Sequence, residues 1–259
     1  MPDKLEESFL LTTKLLFGKP LGPIEKYAGW LQNRVHPGKS VPSSIGKGTC
    51  YLPDYGFFKK LPKNRIVSFE NLDSAANMKM GLGTGHASLA AISGELRKFA
   101  YFVPTFMEGR NLNVENTAVC IDCINVREAF DPFTTKNSAY TFSTMDSEGL
   151  FGCYRILQCN FLIHCYNTYH SNRCFEMDGA KTCTDCYFCH NVENLQNCMF
   201  CFNIKNKQYA IGNVQVGREK YLKAKQMLKQ WIIQALEKQG FLDVDIYNVL
   251  CQGKRAVKS

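Results

Sequence analysis

The sequence predicts a mostly β protein: a β-solenoid, or parallel β-helix, of twelve-residue coils with α-helical caps at its N- and C-terminal ends. Three observations predict this class. Cysteines recur at a spacing of three, whole columns of residues repeat every twelve positions, and amphipathic helical patterns lie at both termini. The predicted division is a helical segment with a basic extended arm at 1–65, the solenoid at 66–213, and a helical cap with a basic tail at 214–259.

The N-terminal segment predicts two helices followed by an arm. Asp3 and Glu6 have the spacing of a capping box, and an apolar series runs from there to Gly18. Pro23 suits the first turn of a second helix, because a proline has no backbone N–H to leave unpaired there. Residues 34–65 are rich in Pro, Gly, Ser and Lys without a period, which predicts a long loop or extended arm.

The period of three is carried by the cysteines. Eleven of the thirteen lie at sequence numbers divisible by three: Cys120, Cys123, Cys153, Cys159, Cys165, Cys174, Cys183, Cys186, Cys189, Cys198 and Cys201. Helices repeat every 3.6 residues and strands every two, so neither produces this phase. Between residues 114 and 204 every third position is uncharged and small or apolar. These side chains are predicted to point into a narrow lumen.

The triplets group into units of twelve. When the sequence from Leu150 onwards is divided into twelve-residue units, the first positions of successive units are all Leu or Cys: Leu150, Leu162, Cys174, Cys186 and Cys198. One unit cannot fold alone, but coils stacked about 4.8 Å apart pair their backbones as parallel ladders. About twelve coils are predicted from the match at 66–77 onwards. Asparagines are expected at the corners, because Asn tolerates the left-handed backbone conformation: Asn167, Asn191, Asn194, Asn203 and Asn206.

Two resemblances accompany this repeat. Cys, Ser and Ala spaced by three around a thin core resemble the twelve-residue coils of beetle antifreeze proteins, but their ice-binding Thr-x-Thr ladders are not repeated here. Residues 197–203 (NCMFCFN) and 206–209 (NKQY) resemble uncharacterised Cys/Asn-rich repeat proteins of prokaryotes and their viruses, over roughly 174–221. The second resemblance implies no established activity and supports the repeat alone.

The C-terminal segment predicts a capping helix. Between residues 218 and 239 one face carries Tyr221, Ala224, Leu228, Trp231, Ile232 and Ala235. Gly240 suits the position after a helix end, and a short second helix at 244–250 precedes the basic tail. Caps are expected because the end coils of a solenoid expose unpaired strand edges.

The net charge of +8 resides outside the solenoid, and residues 34–65 carry seven basic residues against Asp54 alone. A basic arm and tail on a mildly acidic rod favour an anionic partner such as RNA, the ribosome or DNA, and solubility is the alternative reason for them. Phe57 and Phe58 either stack on bases or anchor the arm. The candidate partner-binding residues are Lys39, Lys47, Lys59, Lys60, Lys63, Arg65, Lys254 and Arg255.

The cysteines admit three interpretations. In stacked coils, four sulfurs could form a compact square that holds zinc or a small iron–sulfur cluster: Cys186, Cys189, Cys198 and Cys201. Lumenal disulfides are a second alternative. The preferred prediction is that Cys serves as a small hydrophobe, because this one cause explains all eleven positions. No cofactor is therefore predicted, with zinc as the alternative.

A recurring aromatic column is predicted to point outward from the rod: Phe130, Phe142, Tyr154, Tyr166 and Phe202. Left uncovered, such a stripe is a surface for a partner or for a homodimer, and cover by the chain's own helices is the alternative. The five histidines have no nucleophile motif beside them, so neither an enzyme nor a small-molecule substrate is predicted.

The predicted function is a non-enzymatic scaffold that contacts the ribosome, a nucleic acid, or a viral or oligomeric assembly through the aromatic stripe and basic arm. A metal-binding protein is the alternative. No signal peptide and no membrane-spanning apolar run are found in the sequence, and many cysteines without secretion features favour a reducing, cytoplasmic location. No membrane partner is expected.

Overall fold

The protein is a β-solenoid of about eight turns of stacked parallel strands, accompanied by a few helices. This computed structural model describes residues 3–79 and 88–248, apart from the side chains at 157–161, 167, 169–172 and 180–183. Lys254 and Arg255 of the predicted basic tail lie outside the described residues, as do the side chains of Cys159 and Cys183.

The elements follow one another from helical segments through the strands to a long final helix. The helices are α1 (Lys4–Phe17), α2 (Ala28–Leu31), α3 (Leu72–Ala76), α4 (Leu89–Phe99) and α5 (Arg218–Gln239). The strands are β1 (Lys39–Pro42), β2 (Thr49–Leu52), β3 (Met107–Glu108), β4 (Leu112–Ala118), β5 (Cys120–Ile121), β6 (Ile124–Phe133), β7 (Lys136–Met145), β8 (Tyr154–Ile163), β9 (Asn167–Phe175), β10 (Gly179–Thr184), β11 (Cys186–Tyr187), β12 (Val192–Met199), β13 (Gln208–Ile211) and β14 (Val214–Gln215).

The strands of the rod pair in parallel with a constant offset. Leu112 of β4 pairs with Ile124 of β6, and Met199 of β12 pairs with Ile211 of β13, in both cases twelve residues on. The first pair differs, because Met107 of β3 pairs with Cys120 of β5. At the far end β14 turns back and pairs antiparallel with β13.

The backbone turns at almost every third residue of the rod. At these corners φ is positive, for example 54° at Asn125 and 48° at Asn137. Asparagine reaches this left-handed region at less cost than other non-glycine residues. Of the five asparagines predicted at corners, four have positive φ, which confirms the prediction for these four: Asn191, Asn194, Asn203 and Asn206. Between corners lie two residues, one directed into the lumen and one outward.

The lumen of the rod forms a continuous apolar core. Cys153, Cys165, Cys189 and Cys201 are fully buried and belong to one cluster with the neighbouring Leu, Ile and Val side chains. Consecutive coils are joined by backbone bonds such as Tyr154 N–H to the Cys165 carbonyl, at 2.9 Å. The prediction that residues at triplet intervals line a thin stacked tube is therefore confirmed for these positions.

The helix α1 lies along the side of the rod. Its N-cap Asp3 accepts the Leu5 N–H, and Gly18 ends the helix with φ 91°. Glu6 does not complete the predicted capping box, because its Oε2 accepts the Ile24 N–H at 3.0 Å instead. The second predicted helix is a series of short pieces: Ile24–Tyr27, α2 and Gln32–Arg34.

The long helix α5 also packs on the side of the rod. Its buried residues are Tyr221, Ile232 and Leu236, and Gly240 ends it in the left-handed conformation, as predicted. Trp231 was expected on the buried face but is 46% exposed, because the contact face is rotated toward Leu236. Within the described residues no helix has both the length and the apolar character needed to cross a membrane.

The solenoid begins later than the sequence predicts. The stretch 66–77, expected to form a first coil, contains a 3₁₀ turn at Phe69–Asn71 and the helix α3. Ala75 and Ala76 favour a helix, and the triplet phase alone does not create left-handed corners. Ile66 makes only an isolated parallel bridge, to Phe102. About eight turns are therefore present where about twelve coils were predicted.

The C-terminal end of the rod is closed against further stacking. Asn213 Oδ1 accepts the Phe202 N–H at 2.8 Å, and Asn213 Nδ2 donates to the Phe202 carbonyl at 2.9 Å. Lys207 falls in the lumenal phase yet is exposed, which places a charge where another coil would pack. Charged and capped edges of this kind oppose edge-to-edge association.

Candidate binding surface

The lumenal thiols are hydrogen-bonded to the backbone as well as packed. Cys153 Sγ lies 3.3 Å from the Phe151 carbonyl oxygen and 3.4 Å from that of Leu162. The thiols of Cys198 and Cys201 likewise lie close to two backbone carbonyl oxygens, one of the residue two positions earlier and one of the residue nine positions later. Serine and threonine hydroxyls at the same lumenal positions also donate a hydrogen bond to the carbonyl two residues earlier: Thr117, Thr135, Ser138 and Ser147. A small side chain with a donor therefore suits the lumen, which explains the cysteines without a metal.

The predicted four-sulfur metal site is not supported by the described geometry. Burial raises the pKa of the Cys189 thiol to about 12. A hydrogen bond with Cys198 lowers the pKa of Cys201 to about 7, whereas Cys186 is disulfide-bonded. Among the side chains that the structure describes, no group of three or more His, Cys, Asp or Glu could hold a metal ion. Zinc or iron–sulfur binding stays a prediction.

The aromatic column points outward as predicted, but its N-terminal part, Phe130 to Tyr154, lies beneath the arm. Phe142 is only 3% exposed, and its ring centroid is 4.8 Å from that of Tyr55. Phe130 packs edge-on against Phe58 at 5.4 Å, and Tyr154 stacks on Phe142 at 4.8 Å. The arm therefore covers the surface that was expected to meet a partner.

The C-terminal part of this column, Tyr166 and Phe202, is also covered in part by the chain itself. Tyr166 packs against Tyr247 of the C-terminal segment, with ring centroids 5.8 Å apart. Phe202 is half-buried beside His190, at 5.8 Å. The expectation of an open aromatic stripe is therefore wrong for most of its length, because the sequence shows which residues face outward but not which segments pack on them.

The arm is a folded unit, not an extended chain. Strands β1 and β2 form an antiparallel hairpin in which Lys39 pairs with Leu52, and Lys47 lies in the connecting turn. Cys50 and Leu52 form a small core together with Phe58 and neighbouring apolar residues. Lys39 and Lys47 are both exposed, so the hairpin presents them to solvent.

Four further basic residues follow in two short 3₁₀ turns, Gly56–Lys60 and Lys63–Arg65. Lys59 is 3.2 Å from the Asp54 carboxylate, and both groups are exposed. Lys60 and Lys63 are exposed and form no ion pair within the described part of the chain. The structure thus groups the predicted basic residues of the arm on one folded unit: Lys39, Lys47, Lys59, Lys60, Lys63 and Arg65.

Two roles were predicted for Phe57 and Phe58, stacking on bases and anchoring the arm, and the two rings differ in which role they suit. Phe58 is 4% exposed and anchors the arm against Phe130. Phe57 is 64% exposed, and its ring stacks on Phe58 with centroids 4.2 Å apart and planes 26° apart. A solvent-facing ring is therefore supported by a buried one, and the exposed Lys59 and Lys60 follow directly in the chain.

The described histidine side chains do not form a catalytic group, and His86 and the side chain of His170 lie outside the described residues. His164 was expected to face outward, but it is 1% exposed beneath Trp30, with ring centroids 4.9 Å apart. Burial lowers its pKa to about 3, so it stays neutral at physiological pH. His190 Nδ1 lies 2.5 Å from Asp178 Oδ2, and among the described side chains no hydroxyl or thiol is hydrogen-bonded to the His190 ring.

A buried polar cluster was not predicted from the sequence. Glu176, 2% exposed at a corner, accepts the Ile246 N–H through Oε2 at 2.6 Å. Beside it Arg34 forms an ion pair with Asp245 and lies over the Tyr247 ring at 4.7 Å. The sequence does show a charged residue, Glu176, at a corner position. It does not show that this residue is buried, because the segment that covers it lies 70 residues further along the chain.

Comparison with known proteins found no match to any family model, any curated protein or any solved structure. The resemblance to Cys/Asn-rich repeat proteins therefore stays a prediction. Function has to be argued from the geometry of the arm and of the rod.

Proposed function

We propose that the protein is a non-enzymatic binding protein. A rigid solenoid of twelve-residue coils holds the folded basic arm, and the arm contacts an anionic macromolecule, single-stranded nucleic acid such as exposed RNA. The observation that carries this proposal is the exposed Phe57 ring, fixed on buried Phe58 beside Lys59 and Lys60.

Stacking supports this choice of partner. Single-stranded nucleic acid binds proteins through aromatic rings on which bases stack and through cationic groups that follow the phosphates. Phe57 offers one open ring face, and its rigid support reduces the ordering cost of binding. Lys60 and Lys63 lie within six residues of it in the chain and are exposed.

The distribution of charge supports the same partner. The folded arm carries six basic residues against Asp54, since Arg34 is paired with Asp245, whereas the rod is slightly acidic. A polyanion approaching this molecule is therefore drawn to the arm and repelled by the rod. Thiols such as those of Cys153, Cys189 and Cys201 favour a reducing compartment as the setting, with the Cys186 disulfide as an exception.

Binding of a fluorescent single-stranded oligouridylate of about 15 nucleotides tests the proposal by anisotropy. Phe57→Ala is expected to weaken binding about 5- to 100-fold, since one stacked base contributes about 1–3 kcal/mol. Lys60→Glu is expected to weaken it and to reduce the salt dependence, because phosphate contacts release counterions.

The matched controls are Phe106→Ala, which removes another exposed ring just before β3, and Lys136→Glu on the rod. Both are expected to bind as the unmodified protein does. Absence of binding at low salt, or equal losses in Phe57→Ala and Phe106→Ala, would contradict the proposal.

A further inference from the structure

The helix α4 exposes an apolar face that no described segment of its own chain covers. Ser88 caps it by accepting the Ala91 N–H, at 3.2 Å. Leu89, Ile92, Leu96 and Phe99 then recur at spacings of three and four, which aligns them on one face. Leu89 is 83% exposed and Leu96 41%, and none of the eleven residues of α4 is buried.

Such a helix needs a partner. Isolated helices of this length are marginal in water, and helices in folded proteins owe most of their stability to packing of the apolar face. The contrast within this chain is α1, which buries Phe9, Leu16 and Phe17 against the rod. No strand of the described rod makes a comparable packing contact with α4.

A second open apolar surface lies on the rod. One outward column pairs Ile121 with Phe133, Phe133 with Met145, Met145 with Leu157, and Leu157 with Tyr169. We refer to these five register positions as the apolar ladder. Phe133 is 40% exposed and Met145 42%, and this column is not the one beneath the arm.

The two surfaces have similar lengths. From Leu89 to Phe99 the helix face extends about 15 Å, at 1.5 Å per residue. From Ile121 to Tyr169 the ladder extends about 19 Å, at about 4.8 Å for each of four steps. One α4 therefore covers most of one apolar ladder.

Their charges are complementary. The corners that border the ladder from Ile121 to Leu157 carry three exposed aspartates, Asp122, Asp131 and Asp146, against one exposed basic residue, Arg155. The polar face of α4 carries Arg97 and Lys98. Lys98 pairs with Glu95 in its own helix, whereas Arg97 has no ion pair within the described chain.

We propose that α4 of one protomer packs on the apolar ladder of a second copy, and that the contact is made twice in a two-fold symmetric dimer. Each protomer contributes both surfaces, so the contacts close and leave neither surface exposed. The Arg97 guanidinium then lies among the rim carboxylates of the partner. This inference is independent of nucleic-acid binding by the arm.

Sedimentation velocity over a concentration series up to about 100 μM measures the dimer. Leu96→Asp on α4 and Phe133→Asp on the ladder are each expected to weaken dimerisation at least about tenfold. Both side chains are exposed in the protomer, so at concentrations at which the unmodified protein is also monomeric the variants should have its far-ultraviolet circular dichroism and its melting temperature. The control is Leu11→Asp on α1, a 57% exposed leucine outside both surfaces, which should dimerise normally.

Mixing the two variants distinguishes this contact from a helix–helix or ladder–ladder dimer. A Leu96→Asp chain keeps its ladder and a Phe133→Asp chain keeps its α4, so the mixture regains one of the two contacts and forms a heterodimer weaker than the unmodified dimer. An unmodified protein that stays monomeric, a dimer that survives either substitution, or a mixture that remains monomeric would overturn the proposal.

Discussion

Replacing Phe175 with alanine is expected to lower the free energy of unfolding by about 3–5 kcal/mol, the full range for loss of a buried phenyl ring. Phe175 is 1% exposed and lies where the N-terminal helices meet the rod. Its ring is 5.5 Å from that of Phe17, 5.8 Å from that of Trp30 and 4.9 Å from that of Phe188. Its loss therefore leaves a cavity between two parts of the chain that collapse poorly onto each other.

Urea unfolding measures this effect, with Phe57→Ala as the control for loss of an exposed phenyl ring. The control is expected to change the free energy by less than about 0.5 kcal/mol. If the alanine variant does not fold, Phe175→Leu is measured instead and should cost a smaller but clear amount. A change below about 1 kcal/mol in Phe175→Ala would show that the helices do not pack on this column.

Glu176→Gln is expected to remove a loss of stability that the unmodified protein suffers as pH rises. Burial, followed by the nearby Asp245, raises the pKa of Glu176 from 4.5 to about 8 in the folded state. Between these values the unfolded chain releases the proton and the folded chain keeps it. Stability therefore falls with rising pH by about 1.4 kcal/mol per pH unit, and the fall ends above pH 8.

The clearest window for this comparison is pH 6.5 to 8. Below 6.5 the buried His164 has the opposite effect, because its pKa is lowered to about 3 and the unfolded chain binds the proton first. Within the window, the stability of Glu176→Gln relative to the unmodified protein should rise by about 2 kcal/mol. Glu219→Gln, at an exposed site on α5, is the control. A constant difference across the window would mean that Glu176 is ionised in the folded protein.

The periodic part of the fold could be predicted from the sequence because its causes are local. A lumen accepts only small or apolar side chains at Cys153 and Cys165, and left-handed corners favour Asn194 and Asn206. Both preferences leave a visible period in one chain. The amphipathic pattern ending at Gly240 was visible for the same reason.

The coverage of the rod could not be predicted, because it depends on contacts between distant segments. The sequence places Phe142 on an open interface, whereas in the fold Tyr55 packs against it. The sequence likewise suggests a solvated corner at Glu176, and the C-terminal segment covers it. The start of the solenoid was misplaced because residues 66–77 match the triplet phase while their alanines favour a helix.

The central claim is that the triplet cysteines are the filled core of a closed tube. Alkylation by iodoacetamide under native conditions, followed by peptide mass spectrometry, tests it directly, with an introduced Gln226→Cys on exposed α5 as the reactive standard. Cys153, Cys165, Cys189 and Cys201 should remain unmodified until the protein is unfolded in guanidinium chloride. Labelling of these four at the rate of the exposed standard, in protein that is still folded, would contradict the account.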